Sequence, residues 1–238
     1  MEQAPCISQI ATLLADPKRI AMMWPLMDGS AKPAEELATL AGLSPSSANA
    51  HLARLATGGL LRVEVRGRKR LFRVAAPDVS AAVEALASTT AASAARSAPS
   101  LPVEALAAPA SMRQARLCHG HLAGELAVAL YQRMRLARWI DCHEQRINVT
   151  PLGARNLASH GIYTQALAQY CKTSITCDCF DWSEQQPHLG GALGAGLLQL
   201  FMQSGWLQVI NESRALQITE TGRVEIARLA LSPEACAS

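Results

Sequence analysis

The stretch "LLRVEVRGRKRLFRV", Leu60 to Val74, decides the fold of the N-terminal part of the chain. Apolar and polar residues alternate at period two on both sides of "RGRK", the pattern of two antiparallel strands joined by a tight turn. Val63, Val65, Leu71 and Val74 are expected to face a core. Arg62, Arg66, Arg68, Lys69, Arg70 and Arg73 place six cations on one ribbon. Cations at that density repel one another unless a polyanion neutralises them.

The residues before the hairpin read as short helices. In "DPKRIAMMWPLMDG", Asp16 is an N-cap and Pro17 takes the first helical position, where its missing N–H costs nothing. Pro25 falls inside the apolar pattern and predicts a kink. In "KPAEELATLAGLSPSSANAHLARLATGGLL", Pro33 opens one helix, whose Glu35 and Glu36 suit its positive end. Ser44 and Pro45 open the next, Leu52 and Leu55 face inward, and Gly58 and Gly59 end it. Two helices across a tight turn match the helix-turn-helix arrangement, in which the second helix enters the DNA major groove.

These residues, together with "APDVSAAVEAL", resemble the winged helix-turn-helix of ArsR/SmtB-type transcriptional regulators over roughly residues 7 to 90. The resemblance implies a homodimeric repressor on double-stranded operator DNA, with flanking helices at the dimer interface. It places Ser46, Ser47, Asn49, Ala50, His51 and Arg54 on the recognition helix, and Arg66, Arg68, Lys69 and Arg70 at the wing tip, with Arg62 lower on the wing. His51 has two open orientations, outward to DNA or inward beside Leu52. The Cys-x-Cys found in many metal-sensing relatives before the recognition helix is replaced here by "EELATLA", and the helix after the wing lacks the histidines and paired carboxylates of the zinc-type site. An effector input is therefore expected elsewhere in the chain.

The whole sequence, 238 residues with seven cysteines and a net charge of +3, bounds the rest. No basic start precedes an apolar run and no segment is long enough to span a membrane, so the chain reads as cytoplasmic, with no membrane partner. An odd number of unevenly spaced cysteines in a reducing compartment argues against a disulfide framework. Composition breaks at "STTAASAARSAPSLPVEALAAPAS", Ser88 to Ser111, which reads as a linker. The expected domains are residues 1–87, the winged helix-turn-helix; 88–111, the linker; and 112–238, an effector-sensing domain.

That last domain contains an internal repeat. "HLAGELAVALYQ" from His121 aligns without a gap on "HLGGALGAGLLQ" from His188, and Trp139 aligns on Trp206, at an offset of 67 residues. Each tryptophan is followed by a strand-like segment and a T-x-x-G turn, so a duplicated helix, strand and helix unit is expected. The fold class is mainly α with small β-hairpins, a winged helix-turn-helix followed by a duplicated helical, winged-helix-like domain. The glycines of the second copy oppose helix formation, and close helix–helix approach is the expected reason. "CHGHLAG" and "CFDWSEQQPHLGGALGA" also resemble segments of longer ArsR-like regulators.

The candidate sensor residues are Cys118, His121, Cys171, Cys177, Cys179 and His188. On one helix, Cys118 and His121 would share a face. Thiolate and imidazole suit zinc, copper(I) or a soft metalloid, although the spacing is not that of a zinc finger. Two other readings stay open, a redox or electrophile sensor and small buried hydrophobes. No cofactor is required by the sequence, and a soft metal or metalloid is the cofactor these residues could take. No nucleophile elbow, phosphate loop or dinucleotide fingerprint is found, so the chain reads as a non-enzyme. The alternatives are a small-molecule-responsive regulator with structural cysteines and a thiol-dependent enzyme fused to a DNA-binding domain.

Overall fold

A computed structural model describes residues 7–67, 69–96, 109–143, 146–171, 174–210 and 213–231. The N-terminal module opens with α1 (Ile7–Leu14) and α2 (Pro17–Met23), followed by a 3-10 turn at Trp24–Leu26. Asp16 caps α2 by accepting the Lys18 and Arg19 N–H groups, and the turn falls at Pro25, where the kink is predicted. Next come β1 (Lys32–Pro33), α3 (Ala34–Ala41) and α4 (Pro45–Thr57). Gly42, in the left-handed region with φ 61°, ends α3, and the Ser44 side chain caps α4 on the Ser47 N–H.

The wing is β2 (Leu61–Arg66) and β3 (Lys69–Val74), paired antiparallel with β1 on the outer side of β3. Its burial departs from the expected one. Leu61, Phe72 and Val74 are buried, whereas Val63 and Val65 are 37% and 71% exposed and Leu71 is half-buried. The register explains this: Leu61 pairs with Val74 and Val63 with Phe72 on one face, and the hairpin then runs off the body of the module, so burial fades toward the tip. Arg73 is not one of the exposed cations, because it is buried against Glu64 at 3.2 Å.

Helix α5 (Pro77–Arg96) passes through the first part of the stretch expected as linker, and α6 (Ala110–Gln114) begins near its end. The remainder, 97–108, lies outside the described residues. Beyond it the chain forms β4 (Arg116–Cys118), β5 (His121–Ala123), α7 (Glu125–Leu136), β6 (Ile140–His143), β7 (Arg146–Val149) and α8 (Pro151–Ser159). A short α9 (Thr164–Gln169) leads to β8 (Cys177–Asp181), β9 (Gln186–Gly190), α10 (Gly191–Gln203), β10 (Leu207–Val209), β11 (Leu216–Ile218) and α11 (Glu220–Arg228). Both halves thus run hairpin, helix, hairpin, helix, one hairpin more than the helix, strand and helix expected from the sequence.

The two halves share local chemistry as well as order. Thr150 and Thr219 each cap a helix, donate their N–H groups to the carbonyls of Trp139 and Trp206, both at 3.0 Å, and accept the N–H of Gly153 and Gly222. Packing is reciprocal: α7 lies on β9 and α10 on β5. Gly194 of α10 has a different reason from the expected one. A Cβ there would stand 2.3 Å from the Leu189 carbonyl oxygen and 3.2 Å from His121 Cβ, so the glycine admits a hairpin backbone, not a second helix.

Two cores result. One lies within the C-terminal module, around Leu130, Met134, Leu193 and Phe201. The other fills the winged module and includes Met112, Trp182 and Ala215 from the C-terminal half.

Candidate functional site

His121 and Cys118 are not on a helix. They face each other across the β4–β5 hairpin, whose two-residue turn uses His119 and Gly120 at φ 46° and 88°. Cys179 and His188 face each other in the same way across β8–β9. The reciprocal packing brings the hairpins together, so that the Nε2 atoms of His121 and His188 are 3.1 Å apart and the sulfurs of Cys118 and Cys179 are 3.9 Å apart. All four donor atoms lie within 4.8 Å of one another. His188 is fully buried, His121 and Cys118 nearly so. At metal–sulfur and metal–nitrogen bonds of about 2.3 and 2.05 Å, a regular tetrahedron separates two sulfurs by about 3.8 Å and two nitrogens by about 3.3 Å. The four residues fit such an ion.

The thiols are held unequally. The hydrogen bond with Cys179, together with His121, His188 and His119, draws the Cys118 thiol far below its ordinary value against the opposing effect of burial. The same hydrogen bond, followed by burial, drives Cys179 upward. Cys177 is exposed as a residue and pairs with Gly190, and partial desolvation of its thiol, followed by Asp178, pushes it up. Cys171 is half-buried before β8. Four of the six candidate sensor residues therefore meet, and Cys171 and Cys177 are not in the cluster.

A buried ionic network adjoins the cluster. Asp181, with no exposed surface, lies 3.8 Å by Oδ2 from His188 Nδ1. Its carboxylate accepts the Gly124 N–H at 2.7 Å, Arg116 Nη2 at 2.8 Å, and the Ser183 N–H and hydroxyl. Burial pushes this carboxyl upward, but Arg116 and these N–H donors outweigh it and hold it below its usual range. Arg116 also meets Glu84 of α5 at 3.4 Å and stacks over Trp182 at 4.3 Å. Trp182 packs on Trp24 at 4.5 Å and donates its indole N–H to Glu84. Glu84 is raised by burial, with Arg214 and Arg116 opposing. The cluster is thus connected to the winged module through charged groups buried on both sides.

In the winged module, α4 turns Ala48, Leu52 and Leu55 inward and leaves Ser46, Ser47, Asn49, Ala50 and Arg54 exposed. His51 is half-buried and faces Asp16, 3.6 Å away. Between α4, β1 and the wing lies a concavity of about 450 Å³ lined by Pro33, Glu35, Asn49, Lys69 and Arg70 among others. Arg62, Arg66 and Arg73 all pair with Glu64. Among the described residues Lys69 and Arg70 have no ion-pair partner. Arg68, expected at the wing tip, lies outside the described residues.

No protein-family model matches the chain. A curated relative, the uncharacterized HTH-type transcriptional regulator YdfF of Bacillus subtilis (strain 168), is 33% identical over 223 residues, 92% of this chain and 95% of the relative. The chain belongs to the HTH-type transcriptional regulators. Two solved domains are similar to the regulator's N-terminal third. One is the homodimeric winged helix-turn-helix domain of Mb0332 from Mycobacterium bovis, a possible ArsR-family regulator (27% identity, 34% of this chain, 77% of that one, TM-score 0.31). The other is the cadmium sensor CMTR of Mycobacterium tuberculosis (30% identity, 34% and 82%, TM-score 0.30). The regulator has the order of turn, recognition helix and basic wing that its ArsR-type sequence resemblance implies.

Sequence reasoning missed Arg116, Glu84, Asp181 and Trp182. A partial signal existed for Asp181: in "DWSE" a carboxylate precedes two backbone N–H groups it can bind, those of Ser183 and Glu184, as an Asx-type turn does. Nothing local in the sequence marks Arg116 or Glu84.

Proposed function

We propose that this HTH-type transcriptional regulator is a cytoplasmic, homodimeric repressor whose affinity for operator DNA is set by metal binding at Cys118, His121, Cys179 and His188. The observation that carries the reading is the convergence, within 4.8 Å of one another, of two sulfurs and two imidazole nitrogens supplied by two facing hairpins. The C-terminal module is read as two copies of one hairpin, helix, hairpin, helix unit, each giving one cysteine and one histidine. When bound, the ion supplies a cross-link between the copies. Cys118 and Cys179 provide thiolates, and His121 and His188 provide Nε2.

On DNA, Ser46, Ser47, Asn49, Ala50 and Arg54 face the major groove, with His51 at the edge of that surface. Lys69, Arg70, Arg68 and Arg66 meet the backbone or minor groove, with Arg62 nearer the body. Dimerisation uses α1 and α5, which leave Ile7 and Leu86 87% and 58% exposed. A metal that binds one dimer spacing better than the other shifts the equilibrium by that difference alone.

Fluorescence anisotropy on the DNA upstream of its own gene tests the reading. Chelation and re-addition of zinc should change the affinity reversibly, and an affinity indifferent to both rejects it. A second reading is favoured by the 3.9 Å sulfur separation: a peroxide, itself reduced to two waters, would take both thiol hydrogens and leave a Cys118–Cys179 disulfide. Loss of DNA binding with peroxide but not with chelator would select it.

A further inference from the structure

The cluster and the recognition helix lie in different modules, so regulation needs a physical route between them. We propose that Asp181 reads the occupancy of the four-residue site by a divalent, zinc-like cation and passes it through Arg116 and Glu84 to helix α5. The inference rests on the metal-centre reading above and adds the class of ion and the route.

The class of ion follows from charge and coordination. Two thiolates neutralise a dication, whereas copper(I) would leave a net negative charge where His188 is fully buried and Cys118 and His121 are 6% and 5% exposed. The thiolate-only set suited to arsenite or mercury is not assembled, since two of the four donors are imidazoles. A tetrahedral set of two sulfurs and two nitrogens is the preference of zinc, and four protein donors make a closed site that senses or braces and does not catalyse.

The route follows from the second nitrogen of His188. A cation held by Nε2 puts the ring proton on Nδ1, and that N–H needs an acceptor, as metal-bound histidines usually have. His188 Nδ1 is buried and has no hydrogen-bond partner among the described residues, and Asp181 Oδ2 stands 3.8 Å from it. Asp181 is the acceptor within reach, but it must close by about an ångström to bond.

Movement of Asp181 cannot stay local. Its other oxygen holds Arg116 at 2.8 Å, the tight link of the chain. At the far end the contacts are longer: Arg116 to Glu84 is 3.4 Å and Arg214 to Glu84 is 3.6 Å. Arg116 Nε, Arg214 Nη1 and Glu84 Oε1 are all buried without a hydrogen bond among the described residues. Charged pairs of this kind close to about 2.8 Å when free to do so. A tight Asp181–Arg116 pair between two long contacts is a link that can shift as one piece, and its far end is α5. Trp182, in contact with both Arg116 and Trp24, ties the same movement to the 3-10 turn after α2 and the core of the winged module. Asp181 is thus a positioning residue, not a ligand.

The full-length protein is titrated with cobalt(II), whose visible absorption reports a tetrahedral sulfur–nitrogen site. Amide exchange of residues 77–96 is then compared with and without zinc(II), in the wild type, D181N and E84Q. The wild type should bind one cobalt per chain, and zinc should change exchange in α5 about fivefold or more. E84Q should bind cobalt like the wild type yet lose the α5 response. D181N should bind roughly 10- to 100-fold more weakly and, once saturated, also show no response. A response surviving in E84Q and D181N overturns the route while the metal centre stands. A wild-type cobalt band with an unresponsive α5 makes the ion a brace and also overturns it. Absence of the tetrahedral band in the wild type removes the metal centre itself. If D181N does not fold, E84Q decides alone.

Discussion

Replacing Gly153 by alanine should destabilise the regulator, although in an ordinary helix the same change stabilises it. Gly153 lies in α8, and a Cβ there would stand 1.9 Å from the Trp139 carbonyl oxygen, 2.6 Å from its carbon and 2.8 Å from its Cα. These are backbone atoms that cannot rotate away, and the same carbonyl accepts the Thr150 N–H that begins the helix. Alanine gains about 1 kcal/mol of helix propensity. Against this stand about 1–3 kcal/mol for forcing volume into packed backbone and about 1 kcal/mol for the strained carbonyl bond. The net loss is about 2 kcal/mol. Gly222 occupies the corresponding place in α11, with the Trp206 oxygen 2.1 Å from its Cβ, and should lose a similar amount. Gly196, inside α10, provides the contrast: its Cβ would meet only Leu167 Cδ1 at 3.8 Å, so Gly196→Ala should gain up to about 1 kcal/mol. Guanidinium unfolding followed by tryptophan fluorescence and circular dichroism measures all three midpoints. A Gly153→Ala protein as stable as the wild type would refute the locked-turn argument. A fall at only one of the two sites would refute their equivalence.

Three further outcomes can be checked with single substitutions. Lys69→Ala and Arg70→Ala should each weaken binding to all DNA sequences and reduce the slope of log affinity against log salt by about 1, and an unaltered slope would remove that residue from the phosphate contacts. Cys118→Ser and Cys179→Ser should abolish tight, stoichiometric zinc binding measured by competition with a chromophoric chelator, whereas Cys171→Ser and Cys177→Ser should leave it unchanged; a loss in Cys177→Ser would redraw the site. Trp182→Ala should cost about 4 kcal/mol and let the two modules unfold in separate calorimetric transitions, while Trp182→Phe keeps them joined; one unshifted transition would show that Trp182 does not couple them.

Much of the winged module was legible because its signals are local. Asp16 before Pro17, Ser44 before Pro45 and the glycines after α4 each fix a helix end through atoms two or three residues away. The wing was legible in period, but its inward face was not, because burial depends on how far the hairpin projects beyond Phe72. In the C-terminal module the T-x-x-G turns and the 67-residue offset stood out. The equivalence of Cys118 and Cys179 did not, since they are 61 residues apart and break the ungapped alignment. Cys118 and His121 are separated by two residues and Cys179 and His188 by eight, so only the hairpin registers show that each cysteine faces its histidine. The Arg116–Asp181 contact spans 65 residues, a distance over which sequence carries no pairing signal.

That difference in hairpin length sets the two halves apart. A single unit, paired with a second copy of itself, would place two cysteines and two histidines around a twofold axis and build the whole cage from identical chains. In one chain the two halves need not be identical. Between cysteine and facing histidine the second hairpin has six residues more than the first, and that longer stretch carries Asp181, Trp182 and Ser183, the side chains that reach Arg116 and the winged module. The first half has the short turn, and the second extends an arm toward the winged module.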